Sequence, residues 1–122
     1  MKRVMIVLLL MALAIPFLAR EVGAHGDARI VRHRIQRLDG SVRAFGIYRT
    51  TEPHRRLIVT VFIIQNERII GEKTRRCQGQ RCRVQLAVDC NRIAPVYAVI
   101  QGDTRKGGHF ATWNSRRVVC TR

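Results

Sequence analysis

Four cysteines, four histidines and a large excess of arginine are the residues of this chain with chemistry to offer. Cys77, Cys82, Cys90 and Cys120 all lie downstream of an apolar N-terminal run. Four cysteines allow three pairings. Cys77–Cys82 would close the short Gln78-Gly79-Gln80-Arg81 loop, where Gly79 can take the positive φ of a sharp turn. Cys90–Cys120 would tie the last residues to the middle of the chain, with a loop-entropy contribution of about 3–4 kcal/mol. These two disulfides are the expected pairing. A zinc centre of four cysteines would show two closely spaced knuckles, a pattern absent here.

The histidines offer two further chemistries. His25 follows Val22-Gly23-Ala24, the short side chains a signal peptidase reads, so cleavage there would leave an N-terminal histidine. Such a residue chelates Cu(II) through its α-amine and imidazole, with His33 and His109 as possible further ligands. The plainer reading is a chain terminus whose histidine does nothing. A small cationic nuclease or toxin would draw acid and base from His33, His54 or His109, with arginines holding phosphate. No spacing selects such a pair. The sequence has no nucleophile elbow, phosphate loop, HExxH helix or pair of acids placed for hydrolysis. A non-enzymatic role without a resident cofactor is therefore expected, copper being the one possible exception.

Charge sets the class of partner. The chain has 23 Lys+Arg against 8 Asp+Glu. Leaving out Lys2, Arg3, Arg20 and Glu21 removes three bases and one acid, so residues 25–122 keep 20 and 7, a net charge of +13. All the bases but Lys73 and Lys106 are arginine. An excess of this size attracts nucleic acid, anionic wall polymers, acidic glycans or anionic headgroups. Arg75, Arg76, Arg81 and Arg83 flank the short cysteine pair and are the expected anion-binding cluster. The competing reading is a set of solvated, outward-facing strand positions. Trp113 and Tyr48 are possible stacking platforms, although a lone tryptophan in such a domain is more often core. Tyr97 reads as core or as a corner tyrosine.

Elements must position these groups. Met1-Lys2-Arg3, the uncharged run from Val4 to Ala19 and Val22-Gly23-Ala24 read as a signal peptide over residues 1–24. The apolar run is too short for a comfortable membrane anchor. Residues 25–122 then form one secreted or extracytoplasmic domain without a membrane span. Its patterning is strand-like throughout. Leu57–Ile64 is apolar on both faces, as in a central strand. Cys82–Val88 alternates, with Cys82, Val84, Leu86 and Val88 facing in and Arg83 and Gln85 facing out. Ile30–Leu38 reads as a charged edge strand, with Val31, His33, Ile35 and Arg37 on one face. Asp39-Gly40 and Gln65-Asn66-Glu67 mark hairpins, and Gly71 suggests a bulge. Val96–Gln101, a flexible Gly107-Gly108 tip and a last strand over 109–119 follow. Seven strands without a helical period predict an all-β, antiparallel, Ig-like β-sandwich stapled by disulfides.

The stretch Val59-Thr60-Val61-Phe62-Ile63-Ile64-Gln65-Asn66-Glu67-Arg68-Ile69-Ile70-Gly71, the Cys77/Cys82 pair and Val96-Tyr97-Ala98-Val99 together resemble small secreted bacterial proteins of Ig-like build. In those proteins a VxVxLxxNG hairpin precedes a short cysteine pair and a YYAV-like strand. Here Glu67 stands where that pattern prefers glycine, and Tyr97 alone occupies the tyrosine doublet. The resemblance implies the fold. It leaves the role to the residues: a basic module for wall polymer, glycan or nucleic acid.

Overall fold

The computed structural model describes residues 28–104 and 109–120. The expected signal peptide, His25 and the Gly107-Gly108 tip lie outside the described residues. What is described is all-β and antiparallel, with strands β1 (Ala28–Leu38), β2 (Ser41–Gln65), β3 (Arg68–Asp89), β4 (Ala94–Thr104), β5 (Ala111–Asn114) and β6 (Val118–Cys120). They form one hydrogen-bonded sheet in the order β1-β2-β4-β5, with β3 also on β2 and β6 also on β4.

Two strands are far longer than the sequence pattern suggests. The segments expected as separate strands at Val42–Tyr48 and Leu57–Ile64 are the two halves of β2, and Arg68–Thr74 and Cys82–Val88 are the two halves of β3. Each long strand turns a corner. In β3 the Cα atoms of Cys77 and Cys82 are 5.5 Å apart, where five extended residues would span about 16 Å. The disulfide between them holds that corner, and Gly79 within it has φ 106°. An L side chain rarely adopts that backbone angle, which is why glycine stands there. In β2 the register slips on both sides of His54, and the matching corner is held by hydrogen bonds from Thr50 Oγ1 to the Glu52 carbonyl and from Gln80 Nε2 to the Thr51 carbonyl.

The corners fold the sheet back on itself. One layer is β1, residues 41–49 of β2 and residues 81–89 of β3; the other is residues 68–77 of β3, residues 57–65 of β2, β4, β5 and β6. The layers meet closely. A Cβ at Gly102 of β4 would lie 2.2 Å from the Tyr48 ring, and one at Gly71 would lie 2.4 Å from Val88. Between them sit Val42, Ala44, Tyr48, Leu57, Val59, Val61, Ile63, Val84, Val96 and Ile100, all buried. Burial of this apolar area is the main stabilising term. Cys90–Cys120, also formed, joins the end of β3 in one layer to β6 in the other.

The turns follow their residues. Gly40 (φ 78°) closes the two-residue turn between β1 and β2, and Asn66 and Glu67 (φ 51° and 60°) close the one between β2 and β3. A bulge leaves Ile70 unpaired beside Gly71. A second one alters the reading of β1. Arg32 and His33 together oppose Gly46, with Arg32 at φ 52°. The extra residue changes which side of the strand faces in, so Ile30 and Ile35 are both buried despite their odd spacing. Strict alternation had placed them on opposite faces. The charged strand β1 does lie at an edge of the sheet.

Candidate anion-binding face

Residues opposite one another in an antiparallel pair point to the same side of the sheet. In the β1-containing layer, Val42, Ala44, Gly46 and Tyr48 of β2 face the core, so Arg43, Phe45, Ile47 and Arg49 face out. Their partners face out with them. Arg29 and Arg81 flank Arg49; Val31 and Arg83 flank Ile47; Arg34 and Gln85 flank Phe45; Gln36 and Ala87 flank Arg43. Among the described residues, six arginines therefore share one outer face across three strands. The acid in register on this face, Asp89, stands at its far end, opposite Ser41.

Two features organise it. Arg29, Arg49 and Arg81 form a row straight across β1, β2 and β3. Cross-strand neighbours stand about 5 Å apart at Cβ, and like charges directly opposite destabilise a sheet. Such a row is favourable only when anions or solvent counter-ions screen it. Further along β2, Phe45 lies between two guanidinium groups, with the Arg34 and Arg83 Cζ atoms 5.8 and 5.6 Å from its ring centroid. That is within cation–π range. Arg34, Gln36, Arg43, Phe45, Arg83 and Gln85 line a shallow pocket of about 110 Å³ there.

The cluster anticipated from sequence is divided by this geometry. Arg81 and Arg83 belong to the face just described. Arg75, opposite the core-facing Val59, lies at the open edge between the layers and donates from Nη1 to the Arg83 carbonyl at 3.2 Å. Arg76, opposite Ile58, points to the outer side of the other layer. There it shares a face with Glu72, Thr74 and Asp103, opposite Phe62, Thr60 and Ile58. Among the described residues, one outer face therefore carries six arginines against one acid, Asp89, while the other carries mixed charge. Register reveals that contrast; linear clustering does not.

The aromatic residues redistribute as well. Tyr48 is fully buried and donates its hydroxyl to the His109 carbonyl, a core role rather than a platform. Trp113 packs against the core and stacks on His33, ring centroids 4.4 Å apart. Tyr97 packs on the Phe62, Ile64 and Val99 cluster, with Arg117 Cζ 4.8 Å from its ring centroid. Phe45, which no sequence pattern had singled out, is the aromatic on the cationic face. Its alternation with Ala44 and Gly46 was the available signal.

Of the proposed copper ligands, His33 stacks on Trp113 and His109 lies against His54, ring centroids 4.7 Å apart. Among the described residues no group of three or more His, Cys, Asp or Glu is placed to hold a metal ion. His54 and His109, two of the three histidines a nuclease could draw on, lie ring against ring. An acid and a base acting on opposite sides of one phosphorus would have to separate first. Among the described residues no helix is long and apolar enough to cross a membrane.

No protein-family model matches this chain, and no curated protein matches it by sequence. Its fold does have counterparts in solved structures. A glycosyl hydrolase family 2 member from Bacteroides cellulosilyticus superposes with a TM-score of 0.59 over 76% of this chain, at 9% identity. The chain spans 15% of that protein's length. OgpA from Akkermansia muciniphila (TM-score 0.47, 9% identity, 75% of this chain and 30% of that one) and β-glucosidase 3B from Thermotoga neapolitana (0.41, 12%, 75% and 16%) are looser likenesses. The first supports the all-β fold and nothing about activity.

Proposed function

We propose that this protein is an extracytoplasmic, non-enzymatic binding module, of the Ig-like build its sequence resembles, that grips anionic partners with the outer face of β1, β2 and β3. The observation that carries this reading is the in-register row Arg29–Arg49–Arg81 beside Phe45, on a face whose acid in register, Asp89, stands at the far end. Guanidinium groups pair with phosphate, sulfate and carboxylate through parallel hydrogen bonds, and a rigid sheet holds their spacing fixed. The two disulfides fit an oxidising compartment.

Titration of the purified protein with heparin as the probe, over a range of salt, tests the reading. Affinity falls steeply as salt rises when the contact is electrostatic. Binding that barely changes between low and moderate salt, or no binding at low salt, would remove the mechanism.

A further inference from the structure

We infer that the pocket at Phe45 receives a nucleobase, which makes single-stranded nucleic acid the anionic partner of this face. The inference rests on the anion-binding reading above and adds the identity of the partner. Arginine alone suffices for a sulfated glycan or a wall phosphate. This pocket has more: an aromatic ring, with the carboxamides of Gln36 and Gln85 among the lining residues and Gln85 directly opposite Phe45 in the sheet. Each carboxamide offers a donor and an acceptor, the mixed pattern a base edge presents. A phosphate or sulfate oxygen offers acceptors alone, whereas sugar hydroxyls offer both, so an abasic strand, which keeps sugar and phosphate and lacks only the base, is the probe that isolates the base.

The pocket, at about 110 Å³, has the size of one flat group. The Arg34 and Arg83 guanidinium groups lie over the Phe45 ring, and these planar cations, backed by the ring, are surfaces on which a base stacks. Four residues along β2, about 13 Å at strand rise, the Arg29–Arg49–Arg81 row is positioned for backbone phosphates. Bases within a duplex are stacked inside and cannot enter such a pocket, so the strand bound is a single one.

The test compares four probes with the full purified chain by fluorescence anisotropy: a short oligothymidylate, an abasic strand of the same length, the matching duplex, and heparin. The expected result is an oligothymidylate affinity about tenfold above that of the abasic strand and the duplex. Phe45→Leu keeps an apolar side chain at the position and should erase that difference between base-bearing and abasic strands. Phe45→Trp should restore it. Equal affinity for base-bearing and abasic strands in the parent protein overturns the nucleobase pocket, as does tight duplex binding. Heparin bound while both single strands are not also overturns it, and the glycan reading of the face then stands. If none of the four probes binds, the anion-binding face itself falls.

Discussion

Arg49 of β2 stands directly opposite Arg81 of β3 on one side and Arg29 of β1 on the other. Three like charges in register weaken the sheet that carries them. Arg49→Gln removes both repulsive pairs and should stabilise the protein by roughly 0.5–1 kcal/mol at low salt. Urea denaturation should show the midpoint rising, and the gain should shrink as salt is added. The same variant should bind heparin more weakly. A variant both less stable and unchanged in binding would mean the row is neither strained nor used.

The short disulfide acts on the site more than on the fold. Cys77–Cys82 spans five residues and holds the β3 corner from which Arg81 and Arg83 emerge, whereas Cys90–Cys120 spans thirty and joins the two layers. Replacing Cys90 and Cys120 by serine should cost about 3–4 kcal/mol, and replacing Cys77 and Cys82 about 2 kcal/mol. Heparin affinity should show the reverse order when measured well below the midpoint of unfolding. Chemical denaturation and titration of the two double variants give both rankings.

Glu67 occupies a left-handed conformation at φ 60° in the turn between β2 and β3. A glycine there avoids the contact between Cβ and carbonyl that an L residue suffers. Glu67→Gly should therefore stabilise by roughly 1 kcal/mol without touching the arginine face. A thermal melt of the variant should show the rise, with unchanged heparin binding.

Gly102 and Gly40 separate packing from backbone conformation. A Cβ at Gly102 would enter the Tyr48 ring, so Gly102→Ala should destabilise by about 1–3 kcal/mol. Gly40 has open space around the missing Cβ but φ 78°, so Gly40→Ala should cost about 1–2 kcal/mol through the backbone alone. Tryptophan fluorescence should report the difference. Gly102→Ala pushes on the core near Trp113, while Gly40→Ala leaves it in place.

Much of the fold was legible because local chemistry agreed with it. Cys82–Val88 alternates in the sequence and alternates in burial; Asp39-Gly40 turns; both disulfides pair as expected, one closing the Gly79 loop and one tying the chain's last residues to its middle. What was not legible depends on contacts distant in sequence. The continuity of β2 and β3 through their corners rests on cross-strand pairing that the Glu52-Pro53-His54 segment does not announce. The bulge at Arg32 and His33 hides the inward phase of β1, because one extra residue exchanges the two faces. The arginine face was hidden for the same reason: Arg29, Arg49 and Arg81 are far apart in sequence and adjacent only through register. Arg75 and Arg76, neighbours in sequence, point to different sides.

The claim that this face binds anions is tested most directly by the salt dependence of heparin affinity in two paired variants. Arg49→Gln with Arg81→Gln removes two cations from the cationic face; Arg76→Gln with Arg117→Gln removes two away from it, Arg76 from the outer side of the other layer and Arg117 from over the Tyr97 ring. Net charge falls equally in both. The first pair should lose affinity and flatten the salt dependence, and the second should stay close to the parent protein. Equal losses in the two pairs would show that total charge, and not this face, determines binding.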